Sequence, residues 1–400
     1  MCNSLLILSL ALAPVLWFGS FGKIIIVKYL LISLIGLINI RYIFNKKNTV
    51  NNIIFIVFFL LFILLMLRQY GNDLNSYVHL IISLLISYLF FLIGFCKNIS
   101  INSIKSIYYI VFLLCSIIIC NALFDIPSWR IPNDLYFDIY EQQAYSPPLY
   151  VTGFGIGRTG WSTGLSQFIG LSLIFFNKPP SGIKGYIKVI ILVSPIVIVQ
   201  LLSGGRGGIV ASWIAILFIL FINSKNGLKS IIISLVITCI LGYIIWDNQS
   251  FFRLDNSDIS SNRLEQYQIF LTYFQLDNIL LGLGVNAYQN MGFVYNFHNT
   301  WVRLLFETGL WGMGYSFIIF LIIYKAFINN KSLYDKRFFF IFPCLIAGFI
   351  SSLFEPTPIF TGLTWQFWWF CAGLAMRYSY NDIFNLKQKE YMLSKLNNKD

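Results

Sequence analysis

Few side chains in this chain could do acid–base chemistry, and the best placed is His298, one of only two histidines in 400 residues. It stands in the run Phe297-His298-Asn299-Thr300-Trp301-Val302-Arg303-Leu304-Leu305-Phe306-Glu307-Thr308-Gly309, where a long polar segment gives way to an apolar one. An imidazole at the mouth of an apolar helix can accept or release a proton near neutral pH. The plainer reading of His298 is a capping or interfacial histidine. Asn299 is expected as the N-cap of the following helix. Arg303 and Glu307, four residues apart, are expected to form a structural ion pair about two turns in.

Three arginines could bind an anion. Arg206 sits in Ser203-Gly204-Gly205-Arg206-Gly207-Gly208, where glycines leave amides open for an anion nest and the guanidinium supplies charge. The competing reading is a tight turn whose arginine reaches for lipid headgroups. Arg263 begins the segment Arg263-Leu264-Glu265-Gln266-Tyr267, read either as an anion ligand or as a solvated surface residue. Arg158 lies in Gly155-Ile156-Gly157-Arg158-Thr159-Gly160; this matches a dinucleotide-binding spacing, but no βαβ unit fits between apolar spans. Its glycines instead turn the chain and present Arg158. Planar guanidinium groups suit phosphate. Glu355 in Glu355-Pro356-Thr357-Pro358 is read as part of a stiff turn without chemistry, and His79 as a packed histidine.

The elements that must hold these residues are membrane helices. A chain with 58% hydrophobic and only 11% charged residues is no ordinary soluble globule, whose charged fraction is about 25%. Twelve spans are expected, near 4–20, 24–43, 51–68, 76–96, 104–124, 161–177, 185–203, 206–222, 229–246, 300–324, 336–354 and 359–377. The fold class is thus all-α: a polytopic integral membrane protein with a large exocytoplasmic loop between helices 9 and 10. Residues 1–378 form one transmembrane domain with outside loops 125–160 and 247–299, and 379–400 a cytoplasmic tail. Most of the 28 Lys and Arg residues fall on one side in this scheme, which puts both termini in the cytoplasm. The net charge of +12 is scattered singly rather than gathered in a patch, which argues against nucleic acid. Within the 247–299 loop, residues 261–274 have helical apolar spacing and are expected to lie at the interface. The seven cysteines, without a CxxC pair, suggest neither a disulfide nor a metal site.

Arginines, a histidine and aromatic loops on the outside face suit a lipid-diphosphate sugar. The pattern resembles the O-antigen ligase and O-antigen polymerase superfamily. Ser203-Gly204-Gly205-Arg206-Gly207 is similar to its S-x-R-G turn, and Asn262-Arg263-Leu264 with Gly282-Leu283-Gly284 to its arginine segment followed by G-x-G. His298-Asn299 through Glu307-Thr308-Gly309 resembles its H-N…E-x-G run. Tyr267 stands where the family commonly has tryptophan.

This resemblance implies a bacterial inner-membrane glycosyltransferase that needs no metal and no cofactor, with its active site facing the periplasm. Arg206 and Arg263 would bind the donor diphosphate, Arg158 would add a further contact, and His298 would deprotonate the acceptor hydroxyl. Implied partners are an undecaprenyl-diphosphate-linked glycan, an acceptor glycan lipid and membrane lipids, with a chain-length regulator and a flippase as candidate protein partners. Polymerisation of O-antigen or capsule repeat units is the favoured activity. The alternatives are ligation to lipid A core and, more remotely, a lipid-linked glycan transporter.

Overall fold

The structure is a computed structural model. It describes residues 2–13, 32, 34–36, 74–97, 99–124, 158–176, 180, 182–203, 205–222, 263–273, 279–285, 287–292, 297–329, 340–355 and 365–377, with scattered positions from 232 to 247. Among these, regular structure is helical throughout, without a strand. The expected spans 24–43, 51–68 and 229–246, the loop 125–157, the tail 379–400 and the side chain of His79 fall wholly or largely outside the described residues.

In chain order the described helices are α1 (Cys2–Ala11), α2 (Leu74–Cys96), α3 (Ile101–Phe124), α4 (Arg158–Ser166), a 3-10 segment (Ile169–Phe175), α5 (Gly182–Ser203) and α6 (Arg206–Ile222). Then come α7 (Arg263–Tyr273), α8 (Ala287–Asn290), α9 (Thr300–Asn329), α10 (Ile341–Ser352) and α11 over 366–377. Two stretches, Ile101–Cys120 and Gly182–Ser203, are long and apolar enough to cross a membrane. Their outward faces fit that reading. Ile183, Ile187, Ile191 and Ile198 on α5, and Tyr109 and Leu113 on α3, are exposed where a helix facing water would carry polar residues.

Without water to drive them together, such helices associate where backbones approach closely. Gly94 of α2 lies against the carbonyl of Phe370 on α11, and Gly373 of α11 lies reciprocally against that of Phe91 on α2. A Cβ at either site would overlap main-chain atoms. Gly170 of the 3-10 segment meets the Phe340 carbonyl and Cys344 in the same way, seating α10. Pro195, inside α5, cannot donate to the carbonyl one turn back. The Ser194 hydroxyl donates to that Ile191 carbonyl at 2.8 Å instead, and Tyr108 from α3 donates to the next one, Leu192, at 2.9 Å.

The span expected over 161–177 is not one α-helix. It divides into α4 and the 3-10 segment around Gln167 and Phe168. Polar side chains at the break bond back to nearby carbonyls: Ser166 to Thr163 at 2.6 Å and Gln167 to Gly164 at 2.8 Å. Such local bonds compete with the helical ladder. The other end of Gln167 is also used, because its Oε1 accepts the Trp368 N–H at 3.1 Å, an otherwise orphan donor in the first turn of α11.

α10 packs on α6, α4 and the 3-10 segment, and α4 lies against both α5 and α6. This group carries the turn on which the site is built. Gly94→Ala and Gly373→Ala are expected to lower stability by about 1–3 kcal/mol through overpacking. Gly314→Ala, where an added Cβ meets nothing within 4 Å, should leave it unchanged. Thermal unfolding of the purified protein in detergent checks both.

Candidate functional site

Four consecutive residues, 298 to 301, clasp the segment 352–355 through three of its residues, Ser352, Leu353 and Glu355. The His298 Nδ1 lies 3.1 Å from Glu355 Oε2, and the Asn299 amide donates to the Leu353 carbonyl at 3.1 Å. Thr300 Oγ1 donates to the Glu355 carbonyl at 2.8 Å, and Trp301 Nε1 to Ser352 Oγ at 3.1 Å. Glu355 is 11% exposed at its side chain and His298 33%, so the carboxylate is buried and the imidazole keeps one edge open. The stiff turn expected at Glu355 returns to the mouth of α9, and its carboxylate is the partner of the histidine.

Asn299 is the N-cap of α9: its Oδ1 accepts from the Trp301 N–H at 2.9 Å and the Val302 N–H at 3.2 Å. These are the N2 and N3 donors of the helix. The amide thus starts α9 with one end and holds the 353–355 turn with the other. Behind His298, Phe297 is buried in a cluster with Ala287, Tyr288 and Phe306. Its ring centroid is 4.7 Å from that of Tyr288 and 4.9 Å from that of Phe306. Burial, with the Glu265 carboxylate adding to it, pushes the Tyr288 phenol up, so it stays protonated.

α7 brings its buried edge to the same place. Gln266 is buried and its Oε1 accepts the His298 backbone N–H at 3.2 Å, while Ile269 and Phe270 pack on the aromatic cluster. Sequence reasoning did not single out Gln266; a glutamine one turn after an arginine carries no local signal. The opposite edge of α7 leaves Leu264, Tyr267 and Leu271 exposed.

α9 does not run straight. Gly309 has φ 64° and ψ −158°, a conformation open in practice only to glycine. The break removes the donors one turn on from the Phe306 and Glu307 carbonyls. Leu283 N–H donates to Phe306 O at 2.7 Å and Gly284 N–H to Glu307 O at 2.9 Å in their place. Gly282, itself at φ 69°, lies against the Glu307 backbone, and Gly309 against that of Leu280. The G-x-G segment and the E-x-G run therefore meet as one backbone contact. Within it, Glu307 is 1% exposed and takes the Arg303 guanidinium at 2.9 Å.

Of the three arginines singled out from sequence, Arg206 is the first residue of α6, and Arg158 and Arg263 lie in α4 and α7. The side chains of Arg158 and Arg263 lie outside the described residues. Arg206 is half-buried. The glycines after it allow close packing: Gly208 lies against Ser162 of α4, and a Cβ on Gly207 would stand 2.8 Å from that of Phe354. Ser162 also donates to the Gly205 carbonyl, and buried Gln200 donates to Ser162 O at 2.6 Å. Arg206 is thereby fixed next to the turn that holds Glu355. Among the described residues, no group of three or more His, Cys, Asp or Glu side chains could hold a metal ion.

The assembly is an all-helical protein with apolar spans and a histidine–carboxylate pair where α7, α9 and the 352–355 turn meet. Residues 190–317 match the family model described as O-Antigen ligase, which supports the O-antigen ligase and polymerase superfamily for this chain. The matched region runs from within α5 past the Gly309 break; it contains Arg206, Arg263 and His298 and stops short of Glu355. No curated protein matches the chain.

The double use of Asn299 predicts a graded loss. Asn299→Asp keeps the capping oxygen but not the amide that donates to Leu353, and should cost less than Asn299→Ala, which loses both and is expected to cost about 1–2 kcal/mol. Unfolding midpoints of the two variants measure the difference.

Proposed function

We propose that this protein is a metal-independent glycosyltransferase of the bacterial cytoplasmic membrane, working at its outer face. It transfers a glycan from a polyprenyl diphosphate to a sugar hydroxyl. Members of the matched family are glycosyltransferase-like enzymes of the inner membrane that handle lipid-linked glycans. The observation that carries the reading is convergence. The helix bearing Arg158, the start of α6 with Arg206, the helix bearing Arg263 and the residue His298 pack onto or beside the segment 351–355 or each other.

The chemistry follows from those groups. The acceptor hydroxyl oxygen attacks the anomeric carbon while the bond from that carbon to the diphosphate oxygen breaks. His298 takes the hydroxyl proton, and the diphosphate leaves with the bonding electrons. Arg206 and Arg263, with Arg158 as a further contact, neutralise the leaving charge that a metal ion would otherwise meet. The placement of Arg206 supports this use. A cation at a helix N-terminus is unfavourable to the helix itself, by roughly 0.3–1 kcal/mol, whereas an anion there gains from both the guanidinium and the helix N–H groups.

The topology that accompanies this reading has twelve spans, cytoplasmic termini, one transmembrane domain over 1–378 and a cytoplasmic tail over 379–400. The favoured acceptor is a second lipid-linked repeat unit, which makes the enzyme a polymerase of O-antigen or capsule. The second reading is a ligase acting on lipid A core, the activity for which the matched family is named. A chain-length regulator and a flippase are the protein partners that polymerisation calls for.

Purified protein supplied with a lipid-linked repeat unit, with and without core lipid, separates these outcomes. A ladder from the repeat unit alone means polymerase, and transfer only with core means ligase. His298→Ala is expected to lower transfer at least about 10²-fold with donor binding retained. Arg206→Ala and Arg263→Ala should weaken donor binding and transfer together. Full activity in all three variants would sink the site.

A further inference from the structure

The buried carboxylate at the end of α10 lies outside the region that matches the family, yet it meets the one described histidine side chain. We propose that Glu355 is a positioning residue: it fixes His298 in the tautomer that leaves Nε2 bare and holds the ring in one orientation. The proposal rests on the reading of His298 as the base.

An imidazole can accept a proton only at a ring nitrogen that carries none. Of the two neutral tautomers, the one with hydrogen on Nδ1 is selected when an acceptor lies beside Nδ1. Glu355 Oε2 is at 3.1 Å from that atom, and an ionised carboxylate can only accept. Nδ1–H therefore donates to Glu355, and Nε2 carries the free lone pair of a side chain that is about one-third exposed. As Nε2 takes a proton from the acceptor hydroxyl, the imidazolium that forms is met by the carboxylate it already touches. The Nδ1 proton stays in place throughout, so Glu355 neither gains nor loses a proton in the step.

The surroundings allow little freedom. The Glu355 carbonyl accepts from Thr300 and its N–H donates to the Ser351 carbonyl at 3.0 Å, so the backbone carrying the carboxylate is pinned on both sides. The backbone N–H of His298 is pinned separately by Gln266. None of these three bonds depends on the Glu355 side chain, so variants at Glu355 keep them and the other three bonds of the clasp and change only the group facing the imidazole.

The test uses the full-length protein labelled with 15N-histidine in mildly alkaline buffer. With only two histidines in the chain, His298 signals are those that vanish in His298→Ala. In the wild type, His298 is expected as the Nδ1–H tautomer. Glu355→Gln and Glu355→Ala should move it toward the Nε2–H form and lower kcat about 10²-fold, with KM for the lipid-linked donor little changed. Glu355→Asp should restore part of both. A wild-type spectrum already in the Nε2–H form, or unaltered tautomer and turnover in Glu355→Gln, would overturn the proposal. Failure of the base reading looks different: His298→Ala would then retain transfer, while the tautomer shift would still decide whether Glu355 orients the ring.

Discussion

The site depends on a clasp between two short backbone segments, residues 298–301 and 352–355, closed by four side-chain hydrogen bonds. Each net bond is worth only about 0.5–1.5 kcal/mol. Their arrangement matters more than their sum, because successive residues on one strand of chain each find a partner on the other. A slip of one residue would misplace all four. The mouth of α9 and the end of α10 can therefore meet in one register, and that register brings a histidine to a glutamate 57 positions away.

Packing on both flanks sets the angle of the clasp. On one side, Phe297 and Phe306 close an aromatic cluster that α7 covers with Ile269 and Phe270. On the other, α6 approaches Phe354 through Gly207, and α4 approaches α6 through Gly208. The break at Gly309 belongs to the same construction. Two buried carbonyls without donors would cost about 1–3 kcal/mol each, and the Leu283 and Gly284 amides remove that cost. In doing so they tie the 282–284 segment to the helix that Asn299 caps. Glycines at 282 and 309 are required because two backbones touch there, leaving no room for a side chain on either.

Much of this was legible in the sequence, and the boundary falls where local pattern ends. Apolar runs located α2, α3, α5, α6, α9 and α10 closely, since length and hydropathy are local properties. Asn299 as a cap and Arg303 with Glu307 could be read because both relations lie within one helical turn of sequence. The motif spacing singled out Arg206, Arg263 and His298, and all three fall within the matched region 190–317. What stayed hidden was long-range. Nothing near Glu355 in sequence points to the histidine it meets, and Gln266 looks like any polar residue on a helix. The divided span over 161–177 was missed for a similar reason: its apolar content is that of a helix, and the break is set by Gln167 serving Trp368 across 201 residues.

The start of α6 carries the last step. Arg206 is the first residue of that helix, which has no acidic residue in its first turn. A helix gains stability from acidic rather than basic side chains at that end, so the arginine does nothing for α6 itself. Packing fixes the position instead: Gly207 meets Phe354 and Gly208 meets Ser162, which sets the start of α6 beside the segment that carries Glu355. The same segment holds His298 through its carboxylate. Arg206 and the histidine–glutamate pair are therefore tied to one short stretch of chain, and a change in the packing of that stretch would shift both.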